Sequence, residues 1–165
     1  MEDLRTLARH GEWRTREWVA MQDNCPTDVL EGLGMDASGD VRAAVAVHPG
    51  TPPETLRGML HAVNPGLVAG NPACPPDLVA SLARHEVVWV RIQAAFNPKC
   101  PPALTLEVVG PVRPRDLFAD QWDRLTSALP PDVQHLVCEL AGPGRRGWEG
   151  STVELFEAAR LLANS

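Results

Sequence analysis

The hydrophobic pattern of the chain repeats four times, with a period of about 25 residues. A small apolar pair stands six and five residues before a dipeptide that marks each copy: Cys25–Pro26, Thr51–Pro52, Cys74–Pro75 and Cys100–Pro101. Five residues after the first half of the dipeptide, the first three copies carry Leu30, Leu56 and Val79, whereas the fourth carries Thr105. Self-similarity at this period predicts a solenoid of stacked repeats.

The central copy indicates how each repeat folds. A first helix is predicted over Val41–Val47, and it ends at His48 because a residue before proline is displaced from the helical region. Thr51, followed by two prolines and Glu54, predicts a capping box and a second helix from Thr51 to about His61. Helices this short are not stable alone, so the copies must stack on one another.

A motif recurs in these copies: V-R-x-A-V-A-x-N/H-P-x-T/C-P-P-x-x-L, most complete at residues 40–60. It resembles the leucine-rich repeat variant family, which is similar in style to the HEAT and armadillo repeats of other solenoids. The resemblance implies an all-α fold, a short right-handed superhelix of about four repeats in which α-helices alternate with 3₁₀-helices. It also implies a bacterial protein. We expect no cofactor, because the N-terminus lacks the cysteine cluster of the iron–sulfur segment that is associated with one family member.

Three segments follow from this interpretation. We expect an N-terminal capping helix at residues 1–11 and the helical repeats at residues 12–109. Residues 110–165 are expected to form a C-terminal helical extension that closes the far end of the stack. The stretch GPVRPRD at 110–116 breaks the helix before it. Ser151 and Glu154 predict a capping box at the start of the last helix.

The charge balance restricts the class of partner. The formal net charge is −6 and the isoelectric point is about 5.3, which does not favour nucleic acid or an anionic membrane as a partner. The chain has no apolar run long enough to span a bilayer and no signal-peptide core at its N-terminus. We therefore expect a cytoplasmic protein.

The four cysteines do not predict a metal site. Cys25, Cys74 and Cys100 occupy equivalent positions of different copies, and stacked helices lie about 8–10 Å apart. This separation is too large for a disulfide or for one shared metal ion. Cys138 stands among apolar residues and is predicted to be part of the core. Phosphate-binding glycine loops and nucleophile motifs are also absent, so we predict no enzyme and no catalytic, cofactor-binding or metal-ligating residue.

Arg16, Arg42 and Arg91 occupy equivalent positions and are called the arginine column below. The column has two interpretations. It is a phosphate-facing stripe, or a structural ladder in which each guanidinium caps carbonyls or meets an acid such as Asp40 or Glu17. The structural interpretation is favoured because the resemblance implies an arginine at this position throughout the family.

Tryptophan is the other candidate for function, since the chain has five tryptophans and no tyrosine. Trp89 replaces the Asp40 of the central copy, which makes it the best candidate for an exposed anchor, and Trp13 is a second candidate. These residues favour a non-enzymatic scaffold that binds an unidentified protein. The alternative is a solenoid that holds the nucleic-acid backbone through the arginine column with Arg113, Arg115, Arg145 and Arg146. The oligomeric state is left open.

Overall fold

The computed structural model describes residues 3–163, apart from the side chains at positions 102, 106, 161 and 162. Helices and their connections make up all of this range, with no strand among the described residues, so the prediction of an all-α fold is confirmed. The helices are α1 Leu4–Leu7, α2 Trp13–Ala20, α3 Thr27–Leu33, α4 Gly39–Val47, α5 Pro53–Gly58, α6 Pro65–Gly70, α7 Pro76–Leu82, α8 Val88–Ala95, α9 Pro102–Val109, α10 Ala119–Ser127, α11 Pro131–Ala141 and α12 Thr152–Ala163.

Two compact units make up the chain, one ending at Pro101 and one starting at Pro102. The helix α9, which the sequence pattern places in the last repeat, belongs to the second unit. The capping roles of residues 1–11 and 110–165 stay predictions.

In the first unit, the first helices of the successive copies pack in chain order. α2 contacts α4, α4 contacts α6, and α6 contacts α8, while α3 and α7 pack against the members of this series that flank them. The interface is filled by fully buried side chains at equivalent positions of the copies: Val19, Val45, Val68 and Ala94. This is the contact order that stacked repeats require. The right-handed superhelix stays a prediction.

The helical segments of each copy differ from the family expectation in type. Both segments of the described copies are α-helices, whereas the 3₁₀-helices of residues 3–163 are Pro114–Asp116 and Pro143–Arg145, both in the second unit. The short α5 and α6 still contain six residues each, which is enough for backbone hydrogen bonds of the α type.

The predicted start of the second helix is wrong in the central copy. α5 begins at Pro53, with Pro52 as its N-cap and no side-chain capping bond, and it ends at Gly58 rather than near His61. Thr51 is buried, and its hydroxyl donates to the carbonyl of Val45 at 2.6 Å. The Thr51 hydroxyl therefore provides a hydrogen-bond partner for a carbonyl near the end of α4. It does not cap α5, because the burial of Thr51 places the hydroxyl against α4 rather than beside the amides of α5.

The second unit holds its own core. α11 packs along α12, α10 contacts α11, and α9 contacts α12. The capping box predicted at the start of α12 is confirmed, since the amide of Ser151 donates to the Glu154 carboxylate at 2.7 Å and the amide of Glu154 donates to the Ser151 hydroxyl at 3.4 Å. Among the described helices of both units, none is long and apolar enough to cross a lipid bilayer.

Candidate functional site

The arginine column uses its guanidinium groups on its own backbone. In Arg16, Arg42 and Arg91, Nη1 donates to the two carbonyls that stand six and five residues earlier in the chain. The six distances lie between 2.6 and 3.1 Å. These carbonyls belong to the turn before each first helix, so the column holds the turn against the helix that follows it. A guanidinium engaged in this way has fewer N–H groups left for a phosphate.

Two members of the column also link neighbouring copies. The Nε of Arg16 donates to the Asp36 carboxylate at 2.6 Å and its Nη2 donates at 2.9 Å. This pairing with Arg16 lowers the pKa of Asp36, although partial burial of the carboxyl acts in the opposite direction. The Nε of Arg42 donates to the carbonyl of Ala62 at 3.1 Å. The acid that meets the column is thus Asp36, and not Asp40 or Glu17.

We expect Arg42→Lys to lower the free energy of unfolding by about 1–2 kcal/mol, because an ammonium cannot donate in a fork to three carbonyls at once. Urea denaturation of the variant measures this loss. Arg84→Lys is the matched control, since Arg84 is exposed and donates to the single carbonyl of Ala80 at 3.2 Å. Equal midpoints for the two variants would contradict the structural role of Arg42.

A buried polar ladder, formed by His48, Asn71 and Asn97, crosses the stack three residues before each marker dipeptide. Each side chain accepts a hydrogen bond from the backbone amide two residues later, at 2.7–3.0 Å. Each also reaches back to the preceding copy. Asn71 Nδ2 donates to the carbonyls of Ala46 at 2.7 Å and His48 at 2.9 Å. The ladder therefore joins consecutive copies through buried side chains.

The same connection continues on both sides of Asn71. Asn97 Nδ2 donates to the carbonyls of Ala69 at 2.7 Å and Asn71 at 2.8 Å. In His48, Nδ1 accepts from the amide of Gly50, so the ring proton is on Nε2, which donates to the carbonyl of Gln22 at 3.0 Å. Asparagine carries both donor and acceptor at its tip, which explains its use at two of the three positions.

The predicted exposure of Trp89 is wrong. Its side chain is half-buried, and the six-membered ring lies directly on Gly66 of α6. A Cβ built on Gly66 would stand 1.7 Å from Cζ3 of the ring, so glycine is what makes room for the tryptophan. Trp13 is also half-buried, with the guanidinium carbon of Arg14 4.9 Å from its ring centroid. The structure does not bring the two predicted interaction residues together as one exposed surface.

Five large apolar residues are exposed on the series α2–α4–α6–α8, of which Val87 and Val88 lie at the start of α8 and three lie on α2 and α4. Trp18 and Met21, from α2 and its C-cap, expose 52% and 64% of their surface, and Val47 at the end of α4 exposes 51%. Met21 and Val47 stand at equivalent positions, four residues before their dipeptides, and Trp18 is one helical turn from Met21. We call these three exposed residues of two packed helices, α2 and α4, the apolar ridge.

A pocket continues the apolar ridge towards α6 and α8. Its volume is about 280 Å³, and its lining includes Val47, Leu67, Gly70, Trp89 and Gln93. Gly70 stands at the position of Met21 and Val47 in the third copy and brings no side chain into this space, and a Cβ built on it would stand 3.1 Å from Oε1 of Gln93. We call this space the ridge pocket. Because Trp89 and Val47 both line the ridge pocket, the half-buried Trp89 lies on the far side of the pocket from the apolar ridge.

A larger cleft of about 570 Å³ lies on the side of the second helices, with α3 and α5 on its two walls. Its lining mixes the acids Glu31, Asp36 and Glu54 with Arg42 and with apolar residues such as Met59. Asp36 and Arg42 are already engaged in the bonds described above. The cleft has no single charge that would select a ligand.

The cysteines form no centre in the structure. All four are free, and burial raises the pKa of the Cys74 thiol to about 11, which keeps it protonated at neutral pH. Cys138 is exposed, so its predicted place in the core is wrong: Val133, Val137 and Ala141 occupy the buried face of α11. No group of three metal-ligating side chains comes together in the part of the chain that the structure describes.

The family comparison concerns the second copy. A family model described as leucine rich repeat variant matches residues 39–62, which contain α4, α5 and the loop that follows. This match confirms the resemblance on the copy where the sequence motif is most complete. No curated protein and no solved structure matches the chain.

Proposed function

We propose that this chain is a non-enzymatic helical-repeat scaffold that binds a partner protein through the apolar ridge and the ridge pocket. The observation that carries the proposal is the exposure of Trp18, Met21 and Val47 on adjacent helices. Stacked repeats commonly present an extended surface to another protein. The leucine rich repeat variant match at residues 39–62 supports this class of function.

The arrangement of the three residues matters more than their number. Single exposed apolar side chains are ordinary on protein surfaces, whereas contiguous ones next to a pocket are typical of interaction sites. Tryptophan is also the side chain most enriched among residues that dominate binding energy. Trp18 is placed to act in this way, since 52% of its surface is exposed.

The alternative of nucleic-acid binding receives less support. The guanidinium groups of the arginine column donate to backbone carbonyls, and the net charge of −6 opposes a polyanion. Binding of a short DNA duplex that appears at low salt and is lost at moderate salt would favour the alternative. We also place the protein in the bacterial cytoplasm, since four free cysteines suit a reducing compartment.

Photo-crosslinking tests the proposal directly. Benzoylphenylalanine replaces Met21 in one variant and Val47 in another, and each full-length variant is expressed in the organism from which the chain derives. The control carries the same group at Ser81, an exposed position of α7. We expect one protein to be cross-linked from positions 21 and 47 and not from position 81. Absence of any specific adduct from both ridge positions would refute the proposed function.

We expect Trp18→Ala to weaken binding of that partner by at least about 2 kcal/mol, because the side chain is the largest on the ridge. The free energy of unfolding should change by less than about 1 kcal/mol, since the ring is half in solvent. Calorimetric titration and urea denaturation measure the two quantities. A variant that unfolds without losing affinity per folded molecule would assign Trp18 to the fold instead.

A further inference from the structure

We propose that the link between the first and second copies is an acid-sensitive switch, which opens when the imidazole ring of His48 takes up a proton. We call this link the first joint, and it consists of the bonds of the ring to Gln22 and Gly50. The inference concerns the regulation of the stack and does not depend on the proposed function. It is supported by the hydrogen bonds of the ring, its burial and the other members of the polar ladder.

The two ring nitrogens of His48 have different roles in the first joint. Nε2 donates to the carbonyl of Gln22 at 3.0 Å, and Nδ1 accepts from the amide of Gly50 at 3.0 Å. An imidazolium carries a donor on both nitrogens and has no acceptor. Protonation of Nδ1 therefore breaks the bond from Gly50, whichever way the ring turns.

The surroundings of the ring leave little space for a new N–H group. His48 is buried, and a Cβ built on Gly50 would stand 3.0 Å from Cε1 of the ring and 3.7 Å from Cδ1 of Leu30. A buried charge without a partner is costly, so the protonated ring is expected to move towards water. That movement also takes Nε2 away from Gln22, which opens the joint.

No ion pair among residues 3–163 includes His48, so a proton on the ring is not stabilised by a carboxylate. The turn after α2 carries the exposed Asp23 and the buried thiol of Cys25, whose pKa is raised by burial. α6 carries no titratable side chain. Those of the other surrounding helices are Asp28 and Glu31 on α3, Asp40 and Arg42 on α4, and Glu54 and Arg57 on α5.

The polar ladder shows why the first joint differs from the next two. Asn71 and Asn97 hold the equivalent positions of the later copies, and their amide groups do not titrate. Each asparagine donates two hydrogen bonds to the preceding copy, whereas His48 donates one. Among the three ladder positions, the one with the fewest bonds is thus the one that responds to pH.

The pH dependence has a defined direction. In the unfolded chain, a histidine takes up a proton near pH 6.5 or so, whereas the closed joint requires a neutral ring. Stability rises with pH wherever the unfolded state binds more protons. The first joint is therefore closed above about pH 7 and opens as the pH falls, with a population of the open form up to about thirtyfold higher at pH 5.0 than at pH 7.5.

Amide hydrogen exchange of the full-length chain at the two pH values, corrected for the intrinsic effect of pH on exchange, measures this opening. We expect the protection of the Gly50 amide to fall at least about tenfold at pH 5.0, and His48→Asn to remove most of this fall. His85→Asn is the matched control and should keep the full effect. Nδ1 of the half-buried His85 also accepts from an amide, that of Val87 at 3.1 Å, but makes no link of the polar ladder.

The nitrogen chemical shifts of the His48 ring provide a second measurement, which does not require the His48→Asn variant to fold. We expect the folded chain to show a neutral ring with its proton on Nε2. A charged ring beside a Gly50 amide that is still protected would overturn the proposal. An equal loss of protection in the unmodified chain and in His48→Asn would overturn it as well.

Discussion

Asn71→Ala is expected to lower the free energy of unfolding of the first unit by about 2–4 kcal/mol, because it removes three hydrogen bonds in a buried or partly buried place. Of the three backbone groups, the carbonyl of His48 keeps the bond that it accepts from the amide of Thr51. The side chain accepts from the amide of Ala73 at 2.7 Å and donates to the carbonyls of Ala46 and His48. Those two carbonyls stand at the end of α4, so the substitution weakens the link between the second and third copies as well as the turn after α6.

Asn24→Ala is the control, since Asn24 has the same chemistry but is exposed at the corresponding corner of the first copy. Its effect should stay within about 0.5 kcal/mol, as for ordinary surface substitutions. Urea denaturation gives the free energies, and amide hydrogen exchange in α4 and α6 shows whether the loss is local to the joint. A loss below about 1 kcal/mol for Asn71→Ala would mean that the polar ladder is not a structural link.

Much of the fold follows from the sequence because its apolar positions recur at fixed distances from the marker dipeptides. Val45 and Val68 belong to the recurring apolar pair, and both are fully buried in the series of first helices. α4 was predicted over 41–47 and begins two residues earlier, at Gly39. The start of α5 was not predictable, because the same Thr51 suits a local cap and a bond to the preceding helix. Thr51 forms the bond to the preceding helix because it is buried, and its burial depends on the neighbouring copies of the stack.

The candidate site was only partly predictable. The arginine column is visible in the sequence, but the turn carbonyls that it binds and its partner Asp36 depend on the path of the chain between the copies. The position of Met21 and Val47 is equally visible, since both stand four residues before a dipeptide. The alignment does not distinguish an exposed apolar position from a buried one: Phe96, at the same position of the fourth copy, is buried.

The burial of Trp89 was also not predictable from the alignment of the copies. Its departure from the Asp40 position suggests a residue released from packing and free to bind a partner. The residue that receives the ring is Gly66, which lies 23 positions earlier and at a different position of its copy. Contact between these two residues depends on how the copies stack, because nothing in the local sequence around either residue indicates which residue it packs against.

The contact between Gly66 and Trp89 predicts a large loss of stability when a side chain is added at Gly66. Gly66→Ala should destabilise the first unit by about 1–3 kcal/mol, because the new Cβ would stand 1.7 Å from Cζ3 and 2.3 Å from Cε3 of Trp89. The methyl group would overlap the ring, so either the ring must rotate out of its place on α6 or α6 and α8 must separate. Gly32→Ala is the control: it lies inside α3 with nothing within 4 Å of its added Cβ, and the better helix propensity of alanine should leave it neutral or stabilised by up to about 1 kcal/mol.

Removing the ring should reverse the effect of the methyl group. Trp89→Ala alone is expected to cost about 2 kcal/mol, since a half-buried ring loses its contact with α6. In the Trp89→Ala background, Gly66→Ala should be neutral or stabilising, so the two changes together cost about 1–3 kcal/mol less than their sum. Urea denaturation of the four proteins of this double-mutant cycle measures the coupling. Additive losses would show that the ring does not lie on Gly66, and Trp89 would then become a candidate for the exposed end of the ridge.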